Sequence, residues 1–359
     1  MIDIAFLALA QAHQHLHWLP AALRLAREPG VRVYVLCPSW AGLKFIRGYD
    51  PERTLRLRWM PASRTDGLFA LPPRKRILKR WGWLIRRYPY VVTTESTSTA
   101  LRRDPRFTAR MIRIRHGAGD RDSVFDPRID LFDLTLVAGA KDKQKLLDVG
   151  HATDADCIVS GYAKFELVRP TQRLFPNDNP IVLYNPHFEP RLSSWFTHGE
   201  QLIREMERLP EWNFVVAPHV KLEGGPEIAL SAPNVLIDRG SVRSIDMTYT
   251  QAAAVYIGDV SSQTYEFLRE PRPCIFVNAH GVAWQDDPAY ANWHLGQVID
   301  APDQLGPALA QTAALQPRFE PLQRAAMDYA VDDSPLPSSE RQAQAILAFI
   351  RADLAGQRG

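Results

Sequence analysis

Short apolar runs alternate with longer amphipathic or polar stretches along most of this chain. The early runs include Ile4 to Leu9 and Val31 to Leu36, and the later ones include Ile181 to Tyr184 and Ala254 to Ile257. This rhythm is typical of β-α-β units, in which a buried strand of a parallel sheet is followed by a helix. The sequence therefore predicts an α/β protein built on parallel sheets.

A proline-rich segment divides this alternation into two series. Residues 169–180 contain three prolines together with Asn and Asp, which favour turns and interrupt helices and sheets. The chain has 359 residues, more than the roughly 250–300 residues at which a single core stops growing. We therefore predict an N-terminal domain at 1–168, a linker at 169–180, a second domain at 181–337 and a closing C-terminal helix at 338–359.

Polar loops follow several of the predicted strands. They comprise Arg115 to Asp120, Ser160 to Tyr162, Asn185 to His187, Pro218 to His219, and Gly258 to Ser262. Each loop supplies a glycine, a histidine or a hydroxyl group. Because ligands of open α/β sheets bind outside the carboxyl ends of the strands, these loops are the candidate binding loops.

The most informative loop follows the apolar run that ends at Ile257. It begins with Gly258 and Asp259, continues through the hydroxyls of Ser261 and Ser262, and leads into a predicted helix. The first turn of a helix has unpaired N–H groups, and small hydroxyl residues let a diphosphate approach closely. The alternative is that the two serines only cap the helix.

Several of these motifs together resemble a known family. They are His116-Gly117, Gly161-Tyr162, Tyr184 to Pro186, Ala217 to His219, Gly258 to Glu266, and Arg272 to Phe276. In this combination they are similar to the CDP-glycerol glycerophosphotransferases of the teichoic acid polymerase type, over roughly Met111 to Asn278. The resemblance implies the GT-B fold, in which two Rossmann-like domains face each other across a cleft. The chain differs from the usual family pattern at Arg115 and Glu266, where Trp and Asp are common.

The resemblance also implies roles for particular residues. His116 would be the catalytic base, and Gly117 in the same catalytic loop would let the substrate approach the backbone. Ser261 and Ser262 would contact the phosphates of a CDP-linked or other nucleotide-linked donor, and Glu266 would lie near its ribose or cytidine. The candidate donor-binding residues are Gly161, His187, His219, Arg243, Gly258, Asp259, Ser261, Ser262 and Glu266.

The chemistry of such a transfer can be matched to residue types. It requires a base for the acceptor hydroxyl, positive charge or N–H dipoles for the departing phosphate, and exclusion of water. His116 suits the first role because an imidazole exchanges protons near neutral pH, while Arg243 and His219 suit the second. Asp120 and Asp122 either orient His116 or are solvated turn residues.

The sequence lacks several cofactor and metal motifs. It contains no HExxH, CxxC, GxGxxG or GxxxxGK[ST] pattern, so we expect no metal ion, no nicotinamide cofactor and no P-loop. His13, His15 and His17 alternate after the first predicted strand, which would also fit a zinc site on one strand face. The more typical interpretation is a loop on the acceptor side, with one or two of these histidines lining the cleft.

The segment from Arg74 to Tyr90 combines basic and aromatic side chains and contains no acid. The candidate surface residues are Arg74, Lys75, Arg76, Lys79, Arg80, Trp81, Trp83, Arg86 and Arg87. Cationic groups attract anionic lipid headgroups and indole rings settle at the bilayer interface, so we predict a membrane or acceptor surface here. The alternatives are a solvated basic helix with its tryptophans in the core and, without a recognised binding motif, a nucleic-acid groove. We expect no nucleic-acid partner.

The three cysteines bear on the cellular compartment. Cys37, Cys157 and Cys274 each lie in a short apolar run, which is typical of buried thiols in a reducing cytoplasm. The apolar stretch Ile2 to Ala10 is too short to span a membrane and lacks a basic signal-peptide region. We therefore predict a cytoplasmic protein, peripheral on the inner face of the cytoplasmic membrane if the segment from Arg74 to Tyr90 binds lipid.

The predicted function is a transferase. It would move a glycerophosphate-like or glycosyl unit from a nucleotide-activated donor, such as CDP-glycerol, to a cell-envelope glycan or lipid-linked acceptor. One alternative is a nucleotide-sugar-dependent glycosyltransferase for capsule or lipopolysaccharide, and another is a noncatalytic nucleotide-binding protein. A hydrolysing epimerase of nucleotide sugars shares the architecture and would turn over without an acceptor.

Overall fold

The structure, a computed structural model, describes residues 1–62, 67–68, 70–119, 126–167 and 173–357. Contacts between Cα atoms divide the chain into two compact units. The first comprises Met1–Gly117, Ser123–Leu167 and Tyr329–Gly359, and the second comprises Ala118–Asp122 and Val168–Asp328. Each unit contains its own parallel sheet.

The first unit has a seven-stranded parallel sheet in the order β3-β2-β1-β4-β5-β6-β7. Its strands are β1 (Ile2–Leu7), β2 (Val31–Cys37), β3 (Arg56–Trp59), β4 (Tyr90–Thr93), β5 (Arg110–Ile114), β6 (Leu134–Val137) and β7 (Cys157–Val159). Its α-helices are α1 (Ala12–His15), α2 (Leu19–Leu25), α3 (Trp40–Arg47), α4 (Arg74–Ile85), α5 (Ala140–Asp148) and α10 (Ser338–Gly356). The chain winds outward from β1 to β3 and returns to β4 on the other side of β1, which is the switch point at which such sheets bind ligands.

Both faces of this first sheet are buried. Phe6 packs in one core with Trp18 and with Ile346 of α10, and Leu7 packs in the opposite core with Ile77 of α4. Successive residues of a strand point to opposite faces, so a strand covered on both sides is a continuous apolar run rather than an alternating one.

The second unit has a six-stranded parallel sheet in the order β10-β9-β8-β11-β12-β13. Its strands are β8 (Ile181–Asn185), β9 (Asn213–Val216), β10 (Val235–Ile237), β11 (Val255–Gly258), β12 (Cys274–Val277) and β13 (Gln297–Ile299). Its α-helices are α6 (Trp195–Glu207), α7 (Thr248–Ala252), α8 (Gln263–Phe267) and α9 (Leu305–Ala330). The switch point of this sheet lies between β8 and β11.

The second sheet is also covered on both faces. Tyr184 packs with Trp195 and Leu202 of α6, whereas the neighbouring Leu183 packs with Phe276 on the other face. As in the first unit, this burial on both faces explains why the predicted strands are almost wholly apolar.

The predicted fold class is confirmed, since both sheets are parallel and alternate with helices. The sequence did not predict β3 or β13. β3 is an edge strand with exposed Arg56 and half-buried Leu57, so it has no apolar run, and β13 has only three residues. Within the described residues, no helix is long and apolar enough to cross a membrane.

Candidate functional sites in the two units

His116 follows β5 at the carboxyl edge of the first sheet. Its Nδ1 lies 3.0 Å from the carbonyl oxygen of Thr94, which directly follows β4. A carbonyl oxygen only accepts hydrogen bonds, so Nδ1 is the protonated nitrogen of the neutral ring and Nε2 carries the lone pair. This tautomer leaves His116 able to take a proton at Nε2, as a general base must.

His17 lies beside His116 in the first unit. Their ring centroids are 6.2 Å apart, and the His17 ring meets the ring of Tyr162 edge-on at 5.0 Å. Burial lowers the pKa of His17 well below its usual value, and the positive charge of Lys164, together with that of His116 when it is protonated, lowers it further. His17 is therefore neutral at physiological pH, and it adds no positive charge to the surroundings of His116.

The other histidines of the alternating group, His13 and His15, lie in α1, whereas His17 lies in the turn after it. The three side chains therefore do not share one face of a strand. His15 is buried against Trp18, with ring centroids 5.7 Å apart, and burial lowers its pKa to about 3. No group of three or more His, Cys, Asp or Glu side chains in the described part of the chain is arranged to hold a metal ion.

Gly161 lies in the loop after β7 of the first unit, at φ +78°. A Cβ there would come within 2.2 Å of Ser338 Oγ and 2.3 Å of Arg341 Nη2 at the start of α10. Close packing on α10 therefore explains this glycine without a ligand, and its predicted contact with phosphate stays a prediction. Asp120 and Asp122 lie outside the described residues.

In the second unit, the loops after β8 and β9 bring two histidines together. The ring centroids of His187 and His219 are 6.1 Å apart, and Phe188 lies 4.3 Å from the first and 4.8 Å from the second. Lys221 Nζ lies 5.2 Å from the centre of the Phe188 ring. We call these four residues the histidine cluster. The sequence pointed to both histidines but not to Phe188 or Lys221, which have no signal other than their places one and two positions beyond a histidine.

The backbone fixes the tautomers of both histidines. Nδ1 of His187 accepts the N–H of Glu189 at 3.0 Å, and Nδ1 of His219 accepts the N–H of Lys221 at 3.1 Å. In the neutral rings the proton must then be on Nε2. The cluster therefore offers two ring N–H donors and one ammonium group, a combination that suits phosphate oxygens.

Asp259 directly follows β11 and binds the backbone at one member of this cluster. It is fully buried, and its Oδ2 accepts the backbone N–H of His187 at 2.8 Å and of Ser194 at 3.1 Å. Burial raises the pKa of Asp259 to about 7, against the lowering effect of these N–H groups. The side chain thus binds the backbone of the β8 loop and of the α6 start, which makes Asp259 a positioning residue for His187.

The serine loop leads into a shorter helix than its predicted role as a phosphate site requires. Ser261 Oγ accepts the N–H of Gln263 at 3.2 Å, whereas Ser262 occupies the N-cap position without a side-chain capping bond. The helix that follows, α8, is a single turn of five residues, and its dipole is correspondingly small. Support for a phosphate at this loop therefore comes from the hydroxyl groups rather than from a helix dipole.

Gly258 and Glu266 flank the serine loop. A Cβ at Gly258 would come within 2.5 Å of the Tyr256 ring, so only glycine fits at the end of β11. Glu266 is buried within α8. Arg243 lies in an exposed turn after β10, where its N–H binds Ser241 Oγ at 3.1 Å. Since β10 is the edge strand, Arg243 is two strands away from β8 in the sheet.

The basic segment forms α4 in the first unit, and its members divide into two groups. Arg74 forms an ion pair with the buried Glu95 at 3.1 Å, and Arg86 lies 3.5 Å from Asp104. Trp81 is partly buried and donates its Nε1–H to the carbonyl of Pro61 at 3.1 Å. These three side chains thus form contacts within the first unit.

The second group is exposed. It comprises Lys75, Arg76, Lys79, Arg80, Trp83 and Arg87. Arg87 lies over the Trp83 ring at 5.0 Å, while Ile77, Leu78 and Ile85 face the core. We call these six exposed residues the α4 surface. Six of the nine predicted surface residues are thus exposed, and their contact with a membrane or an acceptor stays a prediction.

Comparisons with known proteins give matches of fold only. No protein-family model and no curated protein matches the sequence significantly. Among solved structures, S. aureus MnaA with UDP matches with a TM-score of 0.69 and 11% identity, over 98% of this chain and 97% of that one. Two sheets with this winding, matched over nearly the whole chain, decide the fold. The protein has the GT-B fold.

Other GT-B proteins match as well. The wall teichoic acid polymerase TagF matches with a TM-score of 0.64 and 11% identity, over 99% of this chain and 90% of that one. The calicheamicin glycosyltransferase CalG4 matches with a TM-score of 0.56 and 15% identity, over 97% and 98%. At these identities the likeness establishes the fold and leaves the reaction to be argued from the site.

Proposed function

We propose that this GT-B protein is a transferase that binds a nucleotide-activated donor through its second unit. The observation that carries the proposal is the pair His187 and His219, whose rings lie 6.1 Å apart in the loops after β8 and β9 and whose Nδ1 atoms accept backbone N–H groups. Together with the ammonium of Lys221, they provide the donors and the positive charge that a diphosphate requires. The solved GT-B structures with UDP in MnaA and UDP-GlcNAc in a Neisseria meningitidis epimerase are consistent with such a ligand.

The order of the strands indicates which other residues belong to the proposed donor site. Ser261 and Ser262 follow β11, which is adjacent to β8, so their hydroxyls belong to the same edge of the sheet as His187. We assign them to the phosphates and Glu266 to the ribose or base. Arg243, in its exposed turn, we assign to the departing nucleotide.

His116 is the proposed base. It would accept the proton of an acceptor hydroxyl at Nε2 while Nδ1 stays bonded to the Thr94 carbonyl. In glycerophosphate transfer, the acceptor oxygen forms a bond to the outer phosphorus and the bond between that phosphorus and the bridging oxygen breaks, so that a nucleoside monophosphate leaves. In glycosyl transfer, the new bond forms at the sugar carbon and a nucleoside diphosphate leaves.

Of these two reactions we favour glycerophosphate transfer from a CDP-linked donor, because the serine loop and its flanking motifs resemble those of the glycerophosphotransferases. The proposed acceptor is a cell-envelope glycan or a lipid-linked glycan. We propose a cytoplasmic location, with the α4 surface contacting either the acceptor or an anionic membrane.

The products distinguish the candidate reactions. Purified protein would be incubated with CDP-glycerol or UDP-N-acetylglucosamine, with and without a glycerol-phosphate oligomer as acceptor, and the released nucleotides separated by chromatography. Acceptor-dependent CMP indicates glycerophosphate transfer and acceptor-dependent UDP indicates glycosyl transfer. Turnover without acceptor indicates a hydrolysing epimerase, and no turnover of any bound nucleotide indicates a noncatalytic protein.

The same assay tests the base. We predict that His116→Gln lowers kcat by about 10²–10⁴-fold, the usual contribution of a general base, and leaves nucleotide binding unchanged. The exposed His280→Gln is the matched control and should retain full activity. Full activity of the His116→Gln variant would remove His116 from the mechanism.

A further inference from the structure

Arg113 of β5 and Arg115, which directly follows β5, are buried on one face of the first sheet. Arg113 and Arg115 are two positions apart, so their side chains point to the same side, and they are only 5% and 7% exposed. A guanidinium group stays charged in proteins, and a buried charge lowers stability unless an opposite charge and hydrogen bonds compensate it. Two such groups, only two positions apart, therefore require compensating anions.

The carboxylates of the described residues do not compensate both charges. Asp142, at the start of α5, is fully buried, and its Oδ2 lies 2.9 Å from Arg115 Nε, but the two atoms are not oriented for a hydrogen bond. Asp126, whose charge also acts on Arg113, is already bound by Arg128 through contacts of 2.8 and 2.7 Å. Asp142 alone is left to balance two guanidinium groups.

Arg113 is the uncompensated member. Its Nε and Nη1 are buried and have no hydrogen-bond partner among the described residues. Its neighbours in register are Thr93 on β4 and Thr135 on β6, which carry no charge. Burial, followed by the charge of Arg115, lowers the pKa of Arg113 to about 10, so it remains a cation at neutral pH. The fold thus keeps a positive charge and at least two N–H donors unused.

We propose that Arg113 and Arg115 form a binding site for a phosphate group in the first unit. The planar N–H fork of arginine matches the oxygens of a phosphate, and a bound phosphate would supply both the missing negative charge and the missing acceptors. Arg113 lies near the carboxyl end of β5, and Arg115 lies between the end of β5 and His116. We assign the bound phosphate to the acceptor, because the acceptor's hydroxyl must reach His116. This assignment rests on the proposed transferase function, whereas the anion site itself does not.

The test is a thermal-shift titration of the full chain with inorganic phosphate, glycerol 3-phosphate, glycerophosphoglycerol, and glycerol as the uncharged control. A ligand that binds only the folded state raises the melting temperature by mass action. We expect the phosphate compounds to stabilise the wild type and glycerol to have no effect. Arg113→Met should raise the melting temperature without ligand, because it removes an uncompensated buried charge, and should weaken phosphate binding by about tenfold or more.

Two further variants make the result specific. Arg113→Lys keeps the charge but loses the planar N–H fork, so it should bind phosphate with intermediate affinity. If Arg113→Met does not fold, ³¹P line broadening of glycerol 3-phosphate compares binding by the wild type and by Arg113→Lys. Ser261→Ala/Ser262→Ala should leave this binding intact, which separates the site from the proposed nucleotide site. Equal stabilisation of the wild type and Arg113→Met, or no effect of any phosphate compound on the wild type, would overturn the proposal. Binding of inorganic phosphate alone would overturn its assignment to the acceptor.

Discussion

At the scale of single residues, the backbone gives chemically identical side chains opposite roles. His116 donates Nδ1–H to a carbonyl and so presents a lone pair at Nε2, whereas His187 and His219 accept backbone N–H groups at Nδ1 and so present Nε2–H. The first arrangement suits a base and the second suits a phosphate ligand. The proposed division between a base in one unit and donor binding in the other follows from these bonds.

Asp259 gives a prediction at this scale. Its pKa is raised to about 7 in the folded protein, compared with about 3.9 for an exposed aspartate. Between these values the folded state holds a proton that the unfolded state has released, so the stability that Asp259 contributes is lost as the pH rises from about 4 through 7. Asparagine cannot ionise but keeps an oxygen for the two N–H groups. We predict that the melting temperature of Asp259→Asn, relative to the wild type, increases between pH 5 and pH 8.

The exposed Asp286→Asn is the control for the Asp259 measurement and should show no such trend. A difference between Asp259→Asn and the wild type that stays constant from pH 5 to pH 8 would show that Asp259 does not titrate in this range. Thermal melts in matched buffers are sufficient for both variants.

At the scale of secondary-structure elements, two glycines with nearly the same backbone conformation differ in how closely they pack. Comparing their alanine variants distinguishes the cost of backbone strain from the cost of overpacking. Gly150 has φ +74° with no atom within 4 Å of a Cβ, and Gly161 has φ +78° with the start of α10 against it. We predict that Gly150→Ala costs about 1–2 kcal/mol, the usual cost of a left-handed residue. Gly161→Ala should cost about 2–5 kcal/mol, because overpacking adds about 1–3 kcal/mol. Denaturant melts measure both, and equal losses would mean that the loop after β7 moves away from α10.

The α4 surface gives a second prediction at this scale. We predict that the protein sediments with vesicles of phosphatidylglycerol and phosphatidylcholine but not with pure phosphatidylcholine vesicles. Each basic residue near an anionic surface contributes about 1 kcal/mol, so Arg76→Glu/Arg80→Glu should weaken binding by tenfold or more. The control is Arg208→Glu/Arg318→Glu, two exposed arginines of the second unit. Equal binding of both variants would show that the α4 surface does not contact the membrane.

The sequence predicted most elements because they are buried on both sides. The apolar runs at β1 and β8 are visible without tertiary information, whereas β3 carries arginines at a sheet edge. α9 contains Pro317 and Pro321, which interrupt any helical prediction. The local sequence thus predicts a strand only where the strand is an apolar run, and a helix only where no residue such as proline disfavours it.

The candidate site was predictable to the extent that it follows from strand ends. His116, His187 and His219 each come shortly after a strand, so their edge of the sheet could be predicted. Lys221 could not, because its position over Phe188 depends on two loops meeting. Arg113 was missed for a different reason, since a charged residue within a predicted strand is normally solvent-exposed. Only the folded structure shows that it is buried and that its Nε and Nη1 lack hydrogen-bond partners among the described residues.

At the scale of the whole molecule, the two units repeat one plan. Each sheet winds outward through three strands and then returns past the first, so each has one switch point and one set of polar loops at its carboxyl edge. We assign base and acceptor chemistry to the first unit and donor chemistry to the second. This assignment is the central claim, and it requires a nucleotide to bind the second unit.

Isothermal titration calorimetry with CDP, CMP, UDP, GDP and CDP-glycerol tests that claim most directly. We predict that at least one nucleotide binds the wild type, with cytidine nucleotides preferred, and that Ser261→Ala/Ser262→Ala and His219→Ala weaken this binding. The exposed pair Ser231→Ala/Ser334→Ala should bind like the wild type. Binding of no nucleotide, or equal binding by all variants, would contradict the placement of a donor site in the second unit.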